Sequence, residues 1–173
     1  MAGLLPPLVL MTDDERLPDP LAAARALPRG SLIVLRAADA ARRAQLAAAL
    51  RPLPHLLLIA NDAALAARAG ADGVHLSEAN ARHAAHIRAI RPGWLITAAT
   101  HGHLHGGPLD ALFLSPIFPT VSHPGGRSLG PARANALARQ SRAPVYALGG
   151  VTPANARSLH GFVGIAAIGA LSV

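Results

Sequence analysis

Short apolar runs with little polar alternation recur at residues 8–11, 32–35, 56–60, 73–76, 94–98, 111–114, 145–148 and 162–166. Runs such as LVLM, LIVL and LLLIA read as parallel strands covered on both faces, because a half-exposed strand would alternate. Between them lie stretches rich in Ala, Leu and Arg, all strong helix formers. Residues 39–50 predict one helix with Asp39 or a neighbour as its cap. Residues 62–69 predict a second, with Asn61 or Asp62 at its start and Gly70 as its stop. Residues 78–90 predict a third, ended by Pro92 and Gly93, and Thr152-Pro153 opens a short helix through Leu159. Pro18, Pro20 and Pro28 confine any first helix to a brief segment. Eight strands in βα order favour a closed (β/α)8 barrel over an open doubly wound sheet.

Size changes that picture. The chain has 173 residues, whereas such barrels typically need about 250. A single compact barrel domain over residues 1–173 with shortened helices is therefore expected. The last strand pattern lies so close to Val173 that no final helix is expected. The flank left apolar would be covered by a neighbouring helix or a partner subunit, so a homodimer is one expectation.

Charge adds a ligand class. The net charge is +7, and all 16 basic residues are Arg, with no Lys anywhere. Such a field favours an anionic ligand. The arginines are scattered and aromatics are only 3%, which argues against nucleic acid. With no Cys, disulfides and thiolate sites are excluded, and a cytoplasmic location is expected. The opening segment has no basic run and reads as a first strand rather than a signal peptide. No apolar window approaches the ~18 residues of a membrane span.

In a parallel barrel the chemistry sits where strands end. That places Asp13, Arg36, Asn61, Asp62, and residues 75–77, 97–101, 115–127 and 149–152 at the mouth. In ALGGVTPAN, Gly149 and Gly150 let backbone approach a phosphate, or simply make a tight turn before a capped helix. Gly169, beyond the eighth strand, is their natural partner in a phosphate cup. Residues 115–130, SPIFPTVSHPGGRSLG, read as a mobile lid or binding loop. There Thr120, Ser122, His123 and Arg127 could grip an anion. Asp62 suits either Mg2+ or a helix cap. His101, His103 and His105 lack a nearby acid or Cys and read as a polar surface loop, with His101 nearest the pocket. His75 is expected to pack in the mouth, Asp72 to serve a turn on the opposite face, and His83 and His86 to lie on the surface.

The residue order then becomes specific. IANDAALAARAGADGVHLSE at 59–78, SPIFPT at 115–120, ALGGVTPAN at 147–155 and GIAAIGAL at 164–171 resemble the signatures of the thiamine-phosphate synthase/TenI family. LMTDDE at 10–15 and IVLR at 33–36 fit more weakly, and the resemblance runs in order over nearly the whole chain. It implies a (β/α)8 barrel, often dimeric, that couples a hydroxymethylpyrimidine diphosphate to a thiazole phosphate with release of pyrophosphate. It also implies Mg2+ on the diphosphate, ligated by Asp62 with Glu78 as the available second carboxylate. Arg36 and Asn61 would hold the diphosphate, and Thr120, with His123 in place of the family's lysine, would belong to the mobile loop. Arg127 would replace the missing loop cation, and Ser122, Gly149, Gly150 and Gly169 would receive a phosphate. The chain departs from the pattern at Ala37 and Ala38, where the family usually has glutamate and lysine. Asn80 stands in place of an acidic Mg2+ ligand, and Val34 in place of glutamine. Two other branches stay open: a non-catalytic TenI-like phosphate-ligand-binding or regulatory barrel, and a thiazole tautomerase. The latter often has histidine where this chain has Pro116.

Overall fold

The computed structural model describes residues 5–104, 106–120 and 127–168. Eight parallel strands form a closed barrel in sequence order. They are β1 (Leu8–Met11), β2 (Leu32–Leu35), β3 (Leu56–Ala60), β4 (Gly73–Leu76), β5 (Leu95–Thr100), β6 (Ala111–Leu114), β7 (Val145–Leu148) and β8 (Gly164–Ala167). Each apolar run of the sequence is thus a strand, with β5 and β8 ending one or two residues later than the pattern suggested. Closure is made by β8 against β1, with Leu8 opposite Ile165 and Leu10 opposite Ala167.

Among the described residues five α-helices lie outside the barrel: α1 (Pro20–Ala26), α2 (Ala40–Leu50), α3 (Ala63–Arg68), α4 (Ala84–Ile90) and α5 (Pro131–Gln140). Their inward faces are small: Ala47 and Leu50 on α2, Leu65 and Ala66 on α3, Ala84 and Ile87 on α4, Ala134 and Ala138 on α5. Alanine at these points lets short helices lie close to the strands, which is how a small chain completes the fold. Asp39 caps α2 through Arg42 N at 2.7 Å, and Asp62 caps α3 through Leu65 N at 2.8 Å.

Three elements differ from the sequence reading. α5 follows a Pro- and Gly-rich stretch whose loop character hides the Pro131 start. The expected helix at 78–90 begins as a 3-10 segment, Glu78–His83, before α4. The expected helix at 152–159 is a turn followed by a single 3-10 turn, Ala156–Ser158. Asn155 explains the last: its side chain accepts from Thr152 N at 2.8 Å and donates to Gly150 O at 2.8 Å. Such local side-chain bonds offer the backbone an alternative to the helix. Among the described residues β8 is the last element, and no helix is long and apolar enough to cross a membrane.

The barrel interior is filled by few large rings. His75, Phe113 and Tyr146 form a buried column, with centroid separations of 4.6 and 4.9 Å. The Tyr146 hydroxyl donates to Pro6 O at 2.7 Å beside the start of β1, and burial pushes its pKa up to about 12.

At the strand starts a carboxylate device occurs twice. Asp72, before β4, accepts Leu57 N of β3 at 2.8 Å, with Arg51 3.8 Å away. Asp110, before β6, accepts Ile96 N of β5 at 2.7 Å and is paired to Arg88 at 2.5 Å. Arg88 also donates to Trp94 O at 2.7 Å. Asp110→Ala would leave the Ile96 N–H without its acceptor and the Arg88 guanidinium without its counter-charge. A loss of about 1–3 kcal/mol is expected, read as a thermal midpoint lowered by at least about 2 °C. An unchanged midpoint would show that water replaces the carboxylate without cost.

Candidate functional site

A cavity of about 910 Å3 opens at the C-terminal ends of the strands. This is where parallel barrels carry their chemistry. Of the residues singled out from sequence, Arg36, Asn61, Thr120, Arg127, Gly149 and Gly150 line it. Asp62 and Glu78 are not among the lining residues. Ser122, His123 and Gly169 lie outside the described residues.

Neighbouring loops are tied around the mouth by side-chain to backbone bonds. Asp14, after β1, accepts Ala38 N at 2.8 Å. Asn61, after β3, accepts Ser77 N at 2.8 Å and Asn80 Nδ2 at 3.1 Å. Glu78, after β4, accepts His101 N at 3.1 Å and contacts His101 Nδ1 at 2.6 Å. Between β6 and β7 the tie runs through the backbone: Ile117 N donates to Leu148 O at 3.1 Å and Phe118 N to Gly149 O at 3.0 Å. The base of the long loop is closed by Leu129 N and Gly130 N, which donate to Pro116 O and Ile117 O. Asn61 meets its two partners from a left-handed backbone, φ 53°, a conformation that Asn tolerates better than most residues.

These ties decide what the glycines do. Gly149 and Gly150 have φ of 90° and 66°. A Cβ on Gly149 would sit 2.8 Å from Pro116 Cα, and one on Gly150 2.9 Å from Phe118 Cβ. Close packing of the 115–119 segment over the turn therefore demands both glycines, quite apart from any ligand.

Positive charge at the mouth comes from four arginines in the lining, Arg16, Arg36, Arg43 and Arg127, against Asp13 and Asp14. Arg36 is held by its backbone: its N donates to Thr12 Oγ1 at 2.7 Å, and that hydroxyl donates to Arg36 O at 2.6 Å. Asp13 bonds Arg16 Nη2 at 2.8 Å and lies 3.6 Å from Arg36 Nη2. The Arg16 hydrogen bond holds the Asp13 carboxyl down at a pKa of about 2 despite partial burial.

Arg43 and Arg16 were not singled out from sequence as site residues. Arg16 follows directly from β1 and could have been found by its nearness to Asp13. Arg43 has no such local signal. It sits in the first turn of α2, where side chains tilt toward the helix N-terminus and hence toward the mouth.

The residues implied for Mg2+ do not assemble a site for it. Asp62 uses Oδ1 as the α3 cap, and Oδ2 lies 3.9 Å from the Arg43 guanidinium. Glu78 is spent on His101 and Asn80 on Asn61. No group of three or more candidate metal ligands occurs among the described residues. Asp62 Oδ2, which makes no hydrogen bond among the described residues, is the carboxylate oxygen these residues leave to a hard dication, and the permanent cation 3.9 Å from it opposes the metal.

A sequence model described as thiamine monophosphate synthase matches residues 8–171. The chain belongs to the thiamine monophosphate synthase family. It is 35% identical to a thiamine-phosphate synthase of Chlorobium luteolum over 182 residues, 96% of this chain and 85% of that one. A putative thiamine-phosphate synthase 2 of Aquifex aeolicus is 32% identical over 102 residues, 56% of this chain and 54% of that one. The thiamine phosphate pyrophosphorylase of Pyrococcus furiosus superposes with a TM-score of 0.77 at 24% identity, covering 96% of this chain and 87% of that one. That last likeness shows the barrel fold.

His75 lines the cavity from below, 4% exposed, with Nδ1 2.9 Å from Thr97 Oγ1. Burial, and secondarily the Arg36 charge, lower its pKa from 6.5 to about 3. The unfolded chain therefore binds this proton first, so stability falls as pH drops below 6.5 and goes on falling toward about 3. At pH 5 the loss attributable to His75 is about 2 kcal/mol. Asp13 acts in a lower window, its contribution disappearing between 3.8 and about 2. Urea unfolding at pH 7 and pH 5 should show a smaller acid loss in His75→Gln than in the parent chain. Equal losses would show that His75 does not set the upper limb.

Proposed function

We propose that this chain is a thiamine-phosphate synthase, coupling hydroxymethylpyrimidine diphosphate to thiazole phosphate with release of pyrophosphate. The observation that carries the reading is the arginine-lined mouth, with Arg36 and Arg127 facing one cavity beside Thr120 and the Gly149–Gly150 turn. In this reaction a C–N bond forms between the thiazole nitrogen and the pyrimidine methylene carbon. The C–O bond to the diphosphate breaks, and pyrophosphate leaves with the electron pair. Little proton transfer is required, which suits a mouth furnished with cations rather than with a free base. Charge accumulates on the departing diphosphate, and fixed guanidinium groups stabilise it most where water is excluded. Arg36 is the best placed, because its backbone is pinned by Thr12 while 42% of its side chain remains open. Arg127 and Thr120 would close over the substrates from the long loop.

A second reading has its own observation. Ala37 and Ala38 line the cavity where the family pattern has a glutamate and a lysine, so a phosphate could be bound without turnover. The tautomerase reading has less support, since Pro116 lines the cavity and offers no proton there.

The test is direct. Purified chain with both substrates and Mg2+ should form thiamine phosphate, followed by fluorescence after oxidation, and Arg36→Ala should lower kcat/KM by about 100-fold or more. Binding of thiazole phosphate without product would replace the synthase reading with the binding barrel.

A further inference from the structure

One interval of the mouth differs from the hydrogen-bonded ones between β1 and β2, β3 and β4, and β4 and β5. Between the loops after β2 and β3 the link is Arg43 to Asp62 at 3.9 Å, a charge contact longer than a hydrogen bond. Arg43 Nε is buried with no hydrogen-bond partner, although the side chain is 19% exposed and lines the cavity. A charged donor left in this state is costly, and it gains by swinging onto an acceptor. Ala37 and Ala38 line the same cavity and carry no polar side chain. Where the family pattern has longer polar side chains this chain leaves space for an anion, and Arg43, on α2, belongs to the lining of the same cavity. Arg36 faces the same cavity, and two guanidinium forks match the oxygens of a diphosphate as one ammonium cannot.

We infer that the diphosphate end of this cavity is built from arginine, with Arg43 and Arg36 binding the diphosphate directly and no divalent cation required. The inference rests on the synthase reading for the identity of the ligand, and on this chain's own donor set for the absence of a metal requirement. Asp62 then serves to cap α3 and to hold Arg43 near the mouth until the anion takes its place. Apart from Asp62, the carboxylates near the entrance are engaged by backbone N–H groups, Arg16 and His101, and the charge that neutralises the anion is covalent to the chain. It is present in every molecule, whatever the free Mg2+ concentration.

Inorganic pyrophosphate is the probe, titrated calorimetrically into the full chain with EDTA and, separately, with excess Mg2+. The dissociation constant in EDTA is expected within about threefold of that in Mg2+, and Arg43→Ala should weaken binding in EDTA at least about tenfold. Where Arg43→Ala lowers the thermal midpoint, Arg43→Gln keeps the length and polarity and removes only the charge. Asp62→Asn preserves a good helix cap and frees Arg43, so its affinity in EDTA should match or exceed the parent's. A metal site would instead lose its Mg2+-dependent binding in Asp62→Asn. Pyrophosphate binding seen only with Mg2+, or left intact by the Arg43 variants, overturns the inference. Thiamine phosphate formation that needs Mg2+ would overturn it while upholding the synthase reading. EDTA-resistant pyrophosphate binding without thiamine phosphate formation would uphold it and sink the synthase reading.

Discussion

Everything at the mouth depends on the pairing of β8 with β1. Short parallel strands bury both faces only if the sheet closes, and closure brings eight strand ends into one ring. Here the closing seam is tight. Ile165 N donates to Pro7 O at 2.9 Å, and a Cβ on Gly164 would collide with the Pro7 backbone. The Tyr146 hydroxyl reaches Pro6 O at the same place, so the ring column inside the barrel and the seam on its wall share an anchor. That anchor supports the seam whose closure sets the loops carrying Arg36, Asn61 and Gly149 facing one another.

Charges are divided between the two ends by the same geometry. At the strand starts Asp72 and Asp110 satisfy strand N–H groups, with Arg51 and Arg88 beside them. These charges are consumed in holding the barrel. At the other end the acids organise the rim: Asp13 steadies Arg16, Asp14 takes Ala38 N, and Glu78 takes His101. The chain has only 9 acidic residues for 16 basic ones. Once the rim has used its acids, the arginines remain as the mouth's net charge.

The strands were legible because burial on both faces is written directly into runs such as LIVL and LLLIA, and the caps at Asp39 and Asp62 because they act over three residues. Arg36, Thr120 and Arg127 were legible because a strand end or the loop after it leads to the mouth. Glu78 was singled out as a metal ligand, but its bond to His101 was not legible, because the two are 23 residues apart and the β4–β5 register brings them together. Arg43 was hidden by a different cause: its direction depends on the tilt of α2, and its role on alanines at 37 and 38. The short helix at 152–159 failed because Asn155 competes for the backbone, a local effect that the Thr-Pro cap signal outweighs in sequence. α5 was missed because glycine and proline before it read as loop.

An arginine-only chain also constrains how the mouth responds to pH. Guanidinium groups keep their charge at any ordinary pH, and Asp13 remains ionised down to about 2. His75 beneath them stays neutral, since burial and the Arg36 charge both oppose its protonation. The field that Arg36, Arg43 and Asp13 present is therefore nearly constant across the range in which a phosphate monoester loses its second proton, at about pH 6. Within that part of the cavity, affinity for a phosphate follows the ligand's titration more than the protein's. Fixed guanidinium charge gives that part of the cavity no titration of its own in this range, leaving His75 to govern stability and not recognition.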